Sequence, residues 1–256
     1  IALAKAGVPV YHAGIVGTDG DILLDACKEA GVNTKYIRRL PVKGGHTMIQ
    51  VDKNAQNCII LYGGTNQMQT KEFVDEVLAD FGEGDYLILQ NEINMVGEII
   101  RLSHEKGCRV VFNASPIPGK PEELPLELVD IFMVNELEAA ALAGTSTEGD
   151  FRDILKALQK KYPKAAIVMT LGKEGVFYGY KEEFYSHPIF KVNAVDTTAA
   201  GDTFCGYFLA ALCAEKSVET ALREASAASA MAVSAKGAAP SIPVHSAVEE
   251  WLCGRS

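Results

Sequence analysis

Short runs of almost purely apolar residues recur from residue 8 onward, and helical stretches closed by glycine lie among them. Residues 8–16, 86–90, 109–113, 131–134 and 166–170 have strand composition, while residues 21–30 and 95–106 have helical composition and stop at Gly31 and Gly107. A strand with one wet face alternates apolar and polar side chains, so a strand that is apolar throughout has both faces covered. Strands of that kind, spaced by helices of about ten or more residues, predict an α/β fold. Its core is a doubly wound, mostly parallel sheet with helices on both faces. Such sheets bind ligands beyond the carboxyl ends of their strands, which directs attention to the residues just after each run.

One segment departs from this pattern. Residues 46–52 and 58–62 are two β-type runs joined by Lys53-Asn54-Ala55-Gln56-Asn57, with no helix between them. They predict a hairpin standing apart from the main sheet, a small β lid inserted at about residues 40–66. Thr47, Ile49 and Val51 share one face of it, opposite Met48 and Gln50. An apolar face of this sort must be covered by the main domain or by a second copy, and the expected assembly is a homodimer through the lid. The remainder reads as a single domain over residues 1–256, without repeats or low-complexity linkers. The chain opens on Ile1-Ala2-Leu3-Ala4-Lys5-Ala6-Gly7, which has helical composition and a glycine stop but no start signal. The expectation is that an N-terminal part of the fold is missing from it.

The chemistry is concentrated in Val195-Asp196-Thr197-Thr198-Ala199-Ala200-Gly201-Asp202, which leads into a helical run at residues 204–214. Small residues at a helix start leave backbone N–H groups open to an anion, and the helix dipole favours negative charge there. Two aspartates at the same end therefore need tasks of their own. A base for a hydroxyl proton and a ligand for a cation are such tasks. Helix capping by Asp196 or Thr198 accounts for one of these residues, but not for Asp196-Thr197-Thr198 together with Gly201-Asp202.

This window resembles the second signature of the ribokinase (PfkB-type) family, Asp-Thr-x-[Gly/Ala]-Ala-Gly-Asp, and further matches in family order cover essentially the whole chain. The resemblance implies a carbohydrate kinase with Asp202 as the base that activates a sugar hydroxyl, and with Ala199, Ala200 and Gly201 as an anion hole. That suits phosphoryl transfer, where catalysis is mostly positioning and electrostatic stabilisation. Thr170, Gly172, Lys173 and Gly175 resemble the family's nucleotide loop. Asn135 and Glu138 match its Asn-x-x-Glu motif, with Asn135 at the ATP phosphates and Glu138 holding Mg²⁺ through water. Ser226 falls where the family places an adenine contact. Glu92 resembles its acidic sugar contact, and Asn113 ends a strand on the phosphate side. The ending Lys236-Gly237-Ala238-Ala239-Pro240-Ser241-Ile242-Pro243 resembles a monovalent-cation segment. The K⁺ ligands it implies are Asp196, Thr198, carbonyls near Ala232, Ala235 and Gly237, and Ser241. Simpler readings stand beside three of these matches. A glycine turn would explain 170–175, a helix start with an acidic first turn would explain 135–138, and a turn after a packed helix would explain 236–243.

The family's first signature, Gly-Gly-Lys-Gly-x-Asn, is absent, and Gly44 and Gly45 stand only at the lid entry. D-ribose, giving ribose 5-phosphate, is the acceptor implied by the Ala199-Ala200-Gly201-Asp202 variant, the C-terminal segment and the lid's exit into Gly63-Gly64-Thr65-Asn66. Another sugar or a nucleoside is the alternative within the family. A non-catalytic sugar- or nucleotide-binding protein on the same fold predicts loss of Asp202 or Gly201, and both are present. A dinucleotide-dependent oxidoreductase needs G-x-G-x-x-G after the first strand, and Gly14-Ile15-Val16-Gly17-Thr18-Asp19-Gly20 has the wrong spacing.

Composition narrows the partners. With 33 acidic against 24 basic residues the net charge is −9, which leaves no basic footprint for nucleic acid or an anionic membrane. No apolar run approaches the roughly 20 residues of a membrane helix. The six cysteines form no C-x-x-C pair and lie mostly in apolar stretches, so buried thiols and a reducing cytoplasm are expected.

Overall fold

In the computed structural model, residues 1–51 and 57–255 are described. The helices are α1 (Ala2–Lys5), α2 (Asp21–Glu29), α3 (Lys71–Leu78), α4 (Val96–Glu105), α5 (Glu136–Ala143), α6 (Phe151–Lys161), α7 (Ala200–Cys213), α8 (Val218–Val233) and α9 (His245–Cys253). The strands are β1 (Tyr11–Val16), β2 (Asn33–Arg39), β3 (His46–Val51), β4 (Asn57–Tyr62), β5 (Tyr86–Gln90), β6 (Arg109–Asn113), β7 (Ile131–Asn135), β8 (Ala166–Thr170), β9 (Val176–Tyr180) and β10 (Glu183–His187).

The main sheet runs β10-β9-β8-β7-β6-β5. Strands β5 to β8 are parallel, and β9 and β10 turn back antiparallel at one edge. Both faces are covered, as a continuous apolar run requires. Val110, Val111 and Phe112 are successive residues pointing to alternate sides, and each is 0% exposed. Val110, Phe112, Phe132, Val134, Ile167 and Met169 join the core under α3 to α6. Val111, Ile131, Met133, Ala166 and Val168 join the opposite core with Phe204 and Phe208 of α7, Ala225 of α8 and Leu252 of α9. The sequence thus predicts this architecture correctly.

Three features differ from the sequence expectations. First, β1 does not extend the main sheet. It pairs in parallel with β2 as a separate two-stranded unit, packed on α3 through Ile15, Tyr36, Phe73 and Val77. The polar segment Asn33-Thr34-Lys35-Tyr36-Ile37-Arg38-Arg39 forms a strand because Tyr36 alone anchors it in that core, at 5% exposure. Second, the expectation of buried thiols holds at Cys108. Cys27 and Cys205 are half-buried, while Cys213 and Cys253 are exposed at the final turns of α7 and α9. Third, the hairpin β3–β4 forms as expected, although residues 52–56 lie outside the described residues. Among its described side chains, Met48, Ile60 and Tyr62 on one side and Leu61 on the other are exposed.

The hairpin is rooted in backbone-to-backbone packing. A Cβ on Gly17 would lie 2.7 Å from the Lys43 carbonyl carbon, and one on Gly64 would lie 2.6 Å from Gly44 O. The Gly44 amide donates to Asp19 Oδ1 at 2.9 Å, which ties this root to the turn before α2.

Candidate active site

The carboxyl ends of the parallel strands gather the expected residues in register. Gln90 of β5 sits beside Asn113 of β6, and Asn135 of β7 sits beside Thr170 of β8. Glu92 follows β5 by two residues and lies close enough to Asp202 that the aspartate's charge acts on it. Desolvation first, and that charge second, hold the Glu92 carboxyl above its ordinary range. One sheet edge and the start of α7 thus face a common space.

Asp202 is exposed in the first turn of α7. The residue that opens this helix, Ala199, has φ +60 in the left-handed region, and no side chain caps the helix. That conformation costs a non-glycine residue on the order of 1–2 kcal/mol and persists only where its surroundings impose it. Here it sets the turn that leads the amides of Ala200 and Gly201 into the helix, and a Cβ on Gly201 would meet nothing within 4 Å. The Ala200 amide donates to Thr197 O at 3.2 Å, while Gly201 and Asp202 are exposed, so a helix start and a carboxylate stand side by side, chemistry that suits an anion and a proton together. Ser229 of α8 steadies it by donating its hydroxyl to Ala200 O at 3.0 Å. Ser229 lies three residues beyond Ser226, the expected adenine contact, on the same helix, and no local motif marks it. Cys205, one turn past Asp202, has its thiol pushed up to about 12 by desolvation and the aspartate's charge, so it stays protonated.

The loop before α7 is joined to the C-terminal turn by Asp196. Its Oδ1 accepts from Thr198 N at 2.9 Å and its Oδ2 from Gly237 N at 3.0 Å. The Thr198 hydroxyl, these amides and Lys236 hold its carboxyl at about 2, so it is an anion at any physiological pH. Ser241 is buried, and its hydroxyl donates to Ala238 O at 2.8 Å. Ala232 O already accepts from Ala235 N at 3.1 Å, leaving its second lone pair for any further partner.

Asn135 and Glu138 form a capping box at the start of α5. Asn135 Oδ1 accepts from Glu138 N and Glu138 Oε2 accepts from Asn135 N, each at 2.9 Å. The helix-start reading of this motif is therefore real, and a metal-directing role has to coexist with it. Burial raises the Glu138 carboxyl, while bonds from Asn135 and Ser115 oppose the rise. In the loop after β8, Gly172 and Gly175 have φ +50 and +98, and Lys173 is exposed between them. A Cβ on Gly175 would lie 2.9 Å from Pro188 Cα, so this position needs glycine for space as well as for φ.

The chain is similar to known proteins over nearly its whole length. A profile describing the pfkB family carbohydrate kinases matches residues 1–245. Ribokinase from Haemophilus influenzae is 34% identical over 259 residues, covering 98% of this chain and 84% of that protein. Among solved structures, ribokinase from Thermotoga maritima is similar at TM-score 0.85 and 32% identity, covering 98% of this chain and 84% of that one. Arabidopsis thaliana ribokinase complexed with ribose and ATP is similar at TM-score 0.83 and 30% identity, with coverage of 98% and 84%.

Proposed function

Because the chain belongs to the pfkB family of carbohydrate kinases, we propose that it transfers the γ-phosphoryl group of ATP to D-ribose, giving ribose 5-phosphate. The observation that carries the reading is the start of α7, where the left-handed Ala199 opens an uncapped helix directly before Asp202. Asp202 accepts the proton of the sugar hydroxyl as its oxygen attacks the γ-phosphorus. The bond from that phosphorus to the β-phosphate oxygen breaks, and ADP leaves. In this reading the amides of Ala199, Ala200 and Gly201 meet the charge on the phosphoryl in flight, and the Ala200 amide turns to it from Thr197 O. Glu92 binds sugar hydroxyls, while Asn135, Thr170, Gly172, Lys173, Gly175 and Ser226 hold the nucleotide.

Two ions belong to this proposal. Asp196, Thr198, Ser241 and the carbonyls near Ala232, Ala235 and Gly237 offer only hard oxygen donors with one fixed negative charge, which fits a large monovalent cation such as K⁺. Bound there, it would lock the loop that precedes the anion hole. Glu138 already spends one oxygen on Asn135, so it fits an outer role, orienting water on Mg²⁺ rather than ligating it directly. We further propose a single domain with the hairpin as its lid, a homodimer through that lid, and a cytoplasmic location. Among the described residues no helix is long and apolar enough to cross a membrane.

The test is ADP release over a panel of D-ribose, 2-deoxyribose, fructose and adenosine, with and without K⁺. Ribose is expected to be preferred and K⁺ to activate. Asp202→Asn should lower kcat by roughly 10³-fold with ATP affinity retained by calorimetry. Turnover of none of these acceptors overturns the assignment.

A further inference from the structure

Helix α1 is one turn long, and its last side chain leaves it for a distant segment. Lys5 Nζ donates to Ala239 O at 2.9 Å and to Ile242 O at 2.8 Å. Both carbonyls lie in the turn at residues 236–243, whose Gly237 carbonyl and Ser241 are assigned above to the monovalent cation. Two other contacts fix the same turn. Tyr207 of α7 donates its hydroxyl to Pro243 O at 2.8 Å, and the Gly237 amide donates to Asp196 Oδ2 at 3.0 Å.

Helix α1 is in turn seated on α7. Ala2 and Ala6 are buried in the core that holds Phe204 and Phe208. A Cβ on Gly206 would lie 2.8 Å from Leu3 N, so the two helices meet backbone to backbone. The helix that begins beside Asp202 therefore also carries the seat of α1 and the Tyr207 anchor. Lys5 closes the circuit from that seat to the turn.

We propose that Lys5 is a positioning residue, whose ammonium holds Ala239 O and Ile242 O so that the turn presents its remaining oxygens to the monovalent cation beside the anion hole. This role rests on the cation reading above. An ammonium is a compact charge with three donors, and two are spent here on charge-assisted bonds. A carbonyl turned toward Lys5 keeps a second lone pair, but a metal cation there would stand beside the ammonium and be repelled by it. The lysine thus sorts the carbonyls of the turn, keeping those of Ala239 and Ile242 and leaving that of Gly237, with Ser241 Oγ, for the cation. Without it, two partly buried carbonyls lose their donor and the turn can relax toward the ion site or away from it.

The test compares Lys5→Met and Lys5→Arg in the full chain. Cation affinity is read by thallium(I) NMR, with Tl⁺ standing in for K⁺, and order in the turn by amide hydrogen exchange at Gly237, Ala238 and Ser241. Lys5→Met is expected to weaken cation binding roughly tenfold and to speed that exchange, with Lys5→Arg recovering both. If Lys5→Met does not fold, Lys5→Gln takes its place, because it drops the charge and keeps a donor. Unchanged cation affinity in the neutral variant overturns the role of Lys5, even if its melting temperature falls. A wild-type chain that takes up neither K⁺ nor Tl⁺ overturns the cation reading itself, and this role with it.

Discussion

Glu92 sits near a second carboxylate, and the strain of that placement is measurable. Its raised carboxyl means that the folded chain binds this proton more tightly than the unfolded chain does. The cost is absent below the ordinary carboxyl range and fully present above the raised value. Glu92→Gln should therefore raise the urea midpoint at about pH 8, and the gain should vanish by about pH 4. The same variant should raise KM for the sugar and leave ATP affinity unchanged. Stability is thus conceded at the position where the proposal puts a sugar contact. Residues of this kind were partly legible in the sequence. Asp196, Asp202, Asn135 and Thr170 could be found because each belongs to a local pattern or follows a strand. Lys5 and Ser229 could not, because their partners lie 234 and 29 residues away and no local pattern marks the pairing. The left-handed Ala199 was equally hidden, since alanine carries no signal for positive φ.

At the scale of elements, α5 shows one motif serving two ends. Glu138→Ala removes the acceptor for Asn135 N and should cost about 1 kcal/mol of stability, as lost caps do. Glu138→Gln keeps an oxygen for that amide. Its melting temperature should stay near wild type, while its kcat falls and its Mg²⁺ requirement rises. Thermal melts together with kcat at varied Mg²⁺ check this pair, and equal activity loss without any Mg²⁺ dependence would leave Glu138 as a cap alone. The strands β5 to β8 were readable because burial on both faces writes itself as an uninterrupted apolar run. β2 was not, being held by Tyr36 alone, and neither was β10, where Glu183, Phe184 and Ser186 are exposed at the sheet edge. Polar strands at the margins look like loops until the tertiary structure pairs them.

For the whole molecule, two cores on opposite sides of one sheet support the proposal of a single domain, beside the separate β1–β2 and β3–β4 pairs. The hairpin remains the exception, with Met48 at 55% and Leu61 at 63% exposure on its opposite faces. Light scattering on the wild type should give twice the chain mass of 27.5 kDa. Either Met48→Glu or Leu61→Glu, whichever lies on the joined face, should return 27.5 kDa with little change in melting temperature. A monomeric wild type would refute the dimer. The root of this hairpin carries a different lesson. Where Gly17 meets the backbone of residues 42–44 and Gly64 meets Gly44 and Gly45, main chain rests on main chain and leaves no room for a Cβ. A side chain at either glycine would push two backbones apart. Changes meant to reshape the hairpin belong on the exposed faces of β3 and β4, because its glycine root has no space for them.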